Sequence, residues 1–324
     1  MDLQKIAHNF KKHDFSNVSK IDYVQNYLNR YFLRIDEIIH YYQKLLELAG
    51  DIKGKTILDI GCGFGFFSIL AKECGAKRVI AIDVDTHFCE AARKVSEIMM
   101  CDIEVREIPA EDVAKLKDEN IDIAFSSCFI EHVYDIKDHF QCVYSALNEK
   151  GIYVADTVLH SLNPRSVRRW RKFHEKRELS GDESFFEKRK KFIKEHFPAL
   201  DDANIVLIAK HLNKFAKNDL KAKVQQYLTT GKLKRTYFDL LYNTCEPYSG
   251  YWPDKLMNPF SVKKFGKMAG FDARLMRPIK RNNEIHFPRI LFRYLKNGFN
   301  SIAPLALIYF YTPQFIVVCR KGEK

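Results

Sequence analysis

Short apolar runs alternate with segments of helical periodicity between residues 55 and 157. The predicted strands are 55–60, 78–83, 102–108, 121–126 and 151–157, with two later ones at 271–279 and 313–321. Parallel strands need crossover connections as long as a helix, and each of the first five strands is followed by one. The sequence therefore predicts an α/β fold with a doubly wound, mostly parallel sheet of seven strands.

The alternation stops after residue 158, and this divides the chain into four parts. We predict N-terminal helices over 1–54, a ligand-binding core over 55–158, a basic helical insertion over 159–255 and the closing part of the core over 256–324. The insertion leaves the sheet at the carboxyl end of the fifth strand, where ligands bind in this architecture. We therefore expect the insertion to form a lid over a substrate.

The positive charge of the chain is concentrated in this insertion. The net charge is +12, and residues 165–235 hold 20 Lys and Arg against 9 Asp and Glu. One interpretation is an anionic partner, which would be a phosphate-bearing substrate, a nucleic acid or a membrane surface. The other is a solvated helical face without a specific partner.

Three further features of the sequence bear on where in the cell the protein resides. The eight cysteines form no C-x-x-C pair, which argues against a disulfide framework or a zinc ribbon and favours reduced thiols in the cytoplasm. The N-terminus lacks the apolar core of a signal peptide. Residues 298–319 are uncharged, but Pro304 and Pro313 interrupt them, so we predict a buried helix and strand. Peripheral contact with the inner face of a membrane, through the preceding basic segment, is the alternative.

The stretch "TILDIGCGFGFFSI", residues 56–69, joins the first predicted strand to a helix through three glycines. Glycines at this place let the backbone turn tightly and approach a ligand whose negative group faces the helix N-terminus. The spacing is G-x-G-x-G, and Phe66 stands where a dinucleotide fingerprint has its third glycine. Asp83 ends the second strand, where an acid can accept hydrogen bonds from ribose hydroxyls.

A family resemblance rests on several motifs, namely "ILDIGCGFG", "VIAIDVD", "IPAEDV", "IDIAFSSCFIEHVYDI", "NEKGIYVADT" and "PFSVKKFGKMAGF". In order and spacing, the chain resembles the class I S-adenosylmethionine-dependent methyltransferases, whose sheet is Rossmann-like. It looks most similar to the branch with "EHV" after the fourth strand, which methylates quinone rings, small metabolites and sugars. The resemblance implies that S-adenosylmethionine is the cofactor.

The resemblance also implies the residues around the cofactor. The acid of the first strand and the glycine loop would hold the methionine part of the cofactor. The acid that ends the second strand would bind the ribose, and the start of "AED" would contact the adenine. The implied set is Asp59, Gly61, Cys62, Gly63, Gly65, Asp83, Val84, Ala110, Glu111 and Ser126. We predict no metal site, since nothing in the sequence has metal-ligand spacing, although ligands distant in sequence could converge.

Methyl transfer needs an acceptor held in line with the activated methyl group, and a hydroxyl acceptor also benefits from a base. His132 of "IEHV" is the candidate base, because histidine titrates near neutrality and this position opens onto the cofactor pocket in the related family. Alternatively, His132 orders its loop through hydrogen bonds. Glu131 would orient His132 or face solvent, and Asp156 at the end of the fifth strand is a second candidate base.

For the acceptor we predict a hydroxyl of a small or carrier-linked molecule, such as a sugar or glycan precursor. The clusters "RSVRRWRKFHEKR" and "EKRKKFIK" would bind its phosphate, and Tyr248, Tyr251 and Trp252 would stack on a ring, unless they only pack the insertion against the core. One alternative is an RNA methyltransferase that uses the basic insertion. Another is a protein that binds the cofactor or a nucleotide without catalysis.

Overall fold

The computed structural model describes residues 3–181, 183–233, 243–279 and 303–322. Its centre is a sheet of seven strands, β1 Thr56–Ile60, β2 Arg78–Asp83, β3 Glu104–Glu107, β4 Ile121–Ser127, β5 Leu147–Thr157, β6 Phe271–Met276 and β7 Phe315–Lys321. The spatial order is β3-β2-β1-β4-β5-β7-β6. All neighbours among β1 to β5 run parallel, whereas β7 is antiparallel to both β5 and β6. This confirms the predicted α/β, Rossmann-like sheet.

The helices of the core and of the N-terminus cover both faces of the sheet. They are α1 Leu3–Lys12, α2 Asp22–Phe32, α3 Ile35–Ala49, α4 Phe66–Glu73, α5 Thr86–Ile98 and α6 Ile136–Ala146, and a 3-10 helix spans Ala110–Leu116. Alternate residues of a strand point to opposite faces, so Ile57 packs with the N-terminal helices and Leu58 packs with α6. Apolar side chains on both faces are what a parallel sheet requires.

The insertion contributes helices α7 Pro164–Leu179, α8 Phe185–His196, α9 Asp202–His211 and α10 Lys217–Thr230. Its last three helices enclose a small apolar core of their own, which includes Ile193, Ile208 and Leu220. The chain returns to the sheet through α11, Pro259–Met268, which packs on α6.

The apolar segment near the C-terminus forms α12, Leu305–Tyr311, followed by β7. The predicted strand is present, but the helix is buried on one side only, since half of Phe310 and Tyr311 is exposed while Tyr309 is fully buried. Residues 298–302 of this prediction lie outside the described residues. In the part of the chain that the structure describes, no helix has both the length and the apolar character needed to cross a bilayer.

Candidate active site

The loop between β1 and α4 turns sharply at its three glycines. Gly61, Gly63 and Gly65 have φ angles of +75°, +53° and +80°, in the left-handed region that favours glycine. A Cβ atom on Gly61 would lie 2.2 Å from Cδ2 of Phe129, so no larger residue fits there. The loop therefore exposes main chain where other sequences would place a side chain.

Strand β2 holds this loop in place. The backbone N–H groups of Gly61 and Cys62 both donate to the carbonyl oxygen of Ile82, at 2.8 and 2.9 Å. The N–H of Gly63 donates to Oδ2 of Asp83 at 2.9 Å, and the N–H of Asp85 donates to its Oδ1 at 3.0 Å. Burial raises the pKa of Asp83, and these backbone donors oppose the effect. The carboxylate is thus fixed next to the loop before any ligand binds.

A cavity of about 700 Å³ opens at the carboxyl ends of β1, β2 and β4, as expected for this architecture. Seven of the residues predicted to bind the cofactor or to act as the base line it, namely Gly61, Gly63, Asp83, Val84, Ala110, Glu111 and His132. They come from four separate segments of the chain. The sheet therefore brings most of the predicted site residues to one place.

The other predicted residues lie elsewhere. Asp59 and Cys62 line a smaller neighbouring cavity of about 40 Å³, which shares Gly61 and Gly63 with the large one. Gly65 lines neither cavity and precedes α4. Ser126 lines neither cavity, and its buried hydroxyl lies 2.8 Å from that of Tyr153. The next residue, Ser127, lines the cavity instead, since adjacent strand residues face opposite sides.

Asp59 has the chemistry of a site for a cationic group. Its side chain is buried, and the hydroxyl of Ser68 donates to Oδ2 at 2.5 Å. Burial raises the pKa of Asp59 to about 7, partly offset by this hydrogen bond. Among the described residues, no Lys, Arg or His forms an ion pair with it. An ammonium group in the small cavity would restore the charge balance of this carboxylate.

Helix α2 supplies two cavity residues that the sequence analysis missed. Tyr23 and Tyr27 line the large cavity, and the hydroxyl of Tyr23 donates to Oδ2 of Asp85 at 2.5 Å. The hydroxyl oxygen of Tyr31 lies 3.0 Å from that of Tyr27 and 3.0 Å from that of Tyr42. The signal was present in the sequence, because tyrosines four residues apart share one face of a helix. The N-terminal helices therefore close the site as well as covering the sheet.

His132 lies on the cavity wall, held by the end of the insertion. Its Nδ1 is 2.9 Å from the carbonyl oxygen of Trp252, and its ring stacks on that of Tyr251 with a centroid distance of 5.5 Å and an interplanar angle of 11°. A carbonyl can only accept, so Nδ1 carries the hydrogen in the neutral ring and Nε2 carries the lone pair. The nearest carboxylate to Nε2 is Oδ1 of Asp254, at 3.8 Å.

Glu131 does not face solvent. It is 1% exposed, and the hydroxyl of Thr157 donates to its Oε1 at 2.6 Å. Burial raises the pKa of Glu131 to about 7, and the positive charge that His132 can carry opposes this effect. Asp156, the second candidate base, is 1% exposed and hydrogen-bonded to Tyr41, and it lines neither cavity.

The aromatic and basic residues of the insertion divide between packing and the cavity. Trp252 is buried against Tyr134, whereas Tyr251 lines the cavity. Arg189 of the second basic cluster is fully buried and bonded to Glu178 at 2.7 Å, so it is engaged inside the insertion. Of the basic insertion residues that the structure describes, Lys217 alone lines the cavity.

A family model described as "Methyltransferase domain" matches residues 58–155. A Burkholderia mallei ribosomal protein L11 methyltransferase is 54% identical over 50 residues, which are 15% of this chain and 17% of that protein. A Hamiltonella defensa malonyl-[acyl-carrier protein] O-methyltransferase is 28% identical over 147 residues, covering 44% of this chain and 54% of that protein. Residues 58–155 are therefore similar to a methyltransferase domain.

The fold agrees with this domain assignment. A chain from the Haloferax volcanii complex of the Trm112 methyltransferase activator with a methyltransferase superposes with a TM-score of 0.51 at 11% identity, covering 96% of this chain and 99% of that chain. This neighbour shares the fold of the chain, a Rossmann-like α/β sheet of seven strands. The matched part of the chain spans about a sixth of the length of the first relative and about half of the length of the second. The branch with the "EHV" motif stays a prediction.

Proposed function

We propose that this protein transfers the methyl group of S-adenosylmethionine to a hydroxyl of a small or carrier-linked acceptor, such as a sugar or glycan precursor. Support comes from the methyltransferase domain and from a cavity large enough for cofactor and acceptor together. The Hamiltonella defensa relative is named as an O-methyltransferase for a substrate linked to a carrier protein. A carrier-linked oxygen acceptor is consistent with that relationship.

The residues around the two cavities can hold the cofactor in one orientation. Asp59 would pair with the ammonium group of the methionine part, next to the exposed main chain of Gly61 and Gly63. Asp83 would accept hydrogen bonds from the ribose hydroxyls, and Ala110 lies on the wall where the adenine would bind. The bound cofactor supplies a methyl group activated by the positive charge on sulfur.

The position of His132 is the observation on which a hydroxyl acceptor depends. Its Nδ1 is bound by the carbonyl of Trp252, so Nε2 is the nitrogen able to accept the proton of an acceptor hydroxyl as its oxygen attacks. Stacking on Tyr251 keeps the imidazole plane fixed. A base already oriented in this way loses little conformational freedom when the acceptor binds.

The insertion contributes to the same cavity and therefore to acceptor choice. Ser249, Gly250 and Tyr251 line it near the end of the insertion, and Lys217 lines it at the start of α10. The Nζ atom of Lys217 is 3.5 Å from Oε1 of Glu111. We assign a phosphate of the acceptor to Lys217 rather than to the arginines of α7, which do not line the cavity.

The test is an acceptor screen that measures release of S-adenosylhomocysteine, with His132→Ala and the control His211→Ala. His211 also has its Nδ1 on a backbone carbonyl, that of Leu207 at 2.8 Å, but it lies on α9 outside the cavity. We expect His132→Ala to lower turnover by about 10² to 10⁴-fold. Calorimetric affinity for S-adenosylmethionine should be unchanged in both variants.

Three results would count against the proposal. Equal turnover by His132→Ala and wild type would remove His132 from the reaction. Methylation of RNA, with binding that falls steeply as salt rises, would favour the RNA alternative over a small acceptor. Cofactor binding without transfer to any hydroxyl in the screen would leave a non-catalytic binding protein.

A further inference from the structure

Three side chains that can bind metal ions converge at the edge of the large cavity. A carboxylate oxygen of Glu131, a ring nitrogen of His132 and a carboxylate oxygen of Asp254 all lie within 4.8 Å of one another. The first two residues follow β4, and the third is near the end of the insertion. The backbone joins the two segments, because the N–H of Lys255 donates to the carbonyl oxygen of Glu131 at 3.0 Å.

The atoms of this cluster that approach one another are hydrogen-bond acceptors, and no hydrogen-bond donor of the described residues lies between them. Oε1 of Glu131 accepts from Thr157, but Oε2 is buried and has no hydrogen-bond partner among the described residues. In the neutral ring of His132, Nε2 carries a lone pair because Nδ1 donates to a carbonyl. Oδ1 of Asp254 lies 3.8 Å from Nε2, which is too long for a hydrogen bond. A buried acceptor left unpaired costs free energy, and a positive charge at the centre of the cluster would satisfy these atoms.

The three side chains are close enough to converge on one metal ion. Nitrogen and oxygen ligands lie about 2.0 to 2.2 Å from a bound zinc ion, so neighbouring ligands of a tetrahedral ion are about 3.3 to 3.6 Å apart. The 3.8 Å between Nε2 of His132 and Oδ1 of Asp254 is slightly longer than this, so the three side chains would move closer together when an ion binds. Ligating histidines commonly donate their other ring N–H to a backbone carbonyl, as His132 does here.

We propose that Glu131, His132 and Asp254 bind a divalent cation, such as Mn²⁺ or Zn²⁺, at the edge of the cavity. One imidazole and two carboxylates suit ions of this class better than Ca²⁺, which prefers oxygen ligands only. Three protein ligands leave coordination positions open for the acceptor. Cation binding is independent of the proposed function, whereas its chemical role rests on that function.

The cation would change how the acceptor hydroxyl is activated. The hydroxyl oxygen coordinates the ion, its pKa falls, and its proton passes to solvent water. A lone pair of that oxygen then forms the C–O bond with the methyl group, while the electron pair of the C–S bond remains on sulfur and neutralises its charge. With the ion bound, Nε2 of His132 would be a ligand and the ion would activate the hydroxyl. The base role of His132 proposed above therefore applies to the protein without the ion.

The experiment begins with full-length protein that has been treated with a chelator and dialysed. Mn²⁺ is titrated by calorimetry and by the loss of the free-ion signal in electron paramagnetic resonance, and Zn²⁺ is titrated by calorimetry. We expect one saturable site, with affinity at least about 10-fold lower in Glu131→Gln and in Asp254→Asn. The control Asp202→Asn removes an exposed carboxylate of the insertion and should bind like wild type.

Asp254 is partly exposed, so its variant keeps the test valid if Glu131→Gln does not fold. Absence of saturable binding of both ions to wild type would overturn the inference, as would equal affinity in wild type and Asp254→Asn. Full methyl transfer by the chelated protein would overturn the chemical role of the ion and leave the proposed function intact. Cation binding without transfer to any hydroxyl would support the site while counting against the proposed function.

Discussion

Replacing Asp59 by asparagine should stabilise the protein and lower its affinity for the cofactor. Asparagine keeps the shape and can accept the hydrogen bond from Ser68, but it cannot ionise. Burial raises the pKa of Asp59 from 3.8 to about 7 in the folded state. Between these values the folded state binds more protons than the unfolded chain, so stability falls as pH rises. The shift corresponds to about 4 kcal/mol lost by pH 8.

The assay is urea unfolding of wild type and Asp59→Asn at pH 4 and pH 8. We expect a difference of about 1 kcal/mol or less at pH 4, and a variant more stable by up to about 4 kcal/mol at pH 8. Asp118→Asn, which removes an exposed carboxylate, controls for net charge. Excess S-adenosylmethionine should raise the stability of wild type more than that of Asp59→Asn. A stability difference that does not change with pH would refute the reasoning.

Three other substitutions test separate parts of the structure. Gly61→Ala should abolish cofactor binding and lower stability more than Gly54→Ala does. Gly54 has φ +71° and open space around it, so its variant reports only the backbone cost of about 1–2 kcal/mol. Equal losses of thermal stability in the two variants would count against a steric effect. Asp83→Ala should weaken calorimetric cofactor affinity by about 1 to 3 kcal/mol, and an unchanged value would exclude it from the site. Arg189→Met removes the cationic partner of the Glu178 carboxylate, which keeps, among the described residues, only its hydrogen bond from Thr244, and should cost about 3–5 kcal/mol in urea unfolding. A loss under about 1 kcal/mol would be the contrary result.

The sheet could be predicted from the sequence because its signals are local. Each strand is a short apolar run bounded by turn residues, and the long connections between strands require parallel pairing. The first strand was predicted at 55–60 and is found at Thr56–Ile60. The extent of β5 was missed at its start, since Leu147–Lys150 contains polar residues that do not look like a buried strand.

The part of the site that lies on consecutive residues was also predictable, whereas contacts between distant segments were not. The glycine loop and Asp83 follow strands directly, so the fold alone brings them together. Asp254 joins His132 across more than a hundred residues, and no pattern in the sequence links the two. Ser127, not Ser126, lines the cavity, and the sequence pattern of a strand gives the alternation of faces but not which face meets the cavity.

The main-chain carbonyl of Trp252 has a consequence for how this protein can be altered. Since peptide oxygen rather than any side chain sets the imidazole tautomer, residues along that turn can change identity while the ring stays correctly protonated. A chimera carrying another insertion would therefore keep this chemistry only if its final turn re-enters the core in the same register. The length of that final turn, more than its amino-acid composition, would decide whether a chimera keeps His132 in this tautomer.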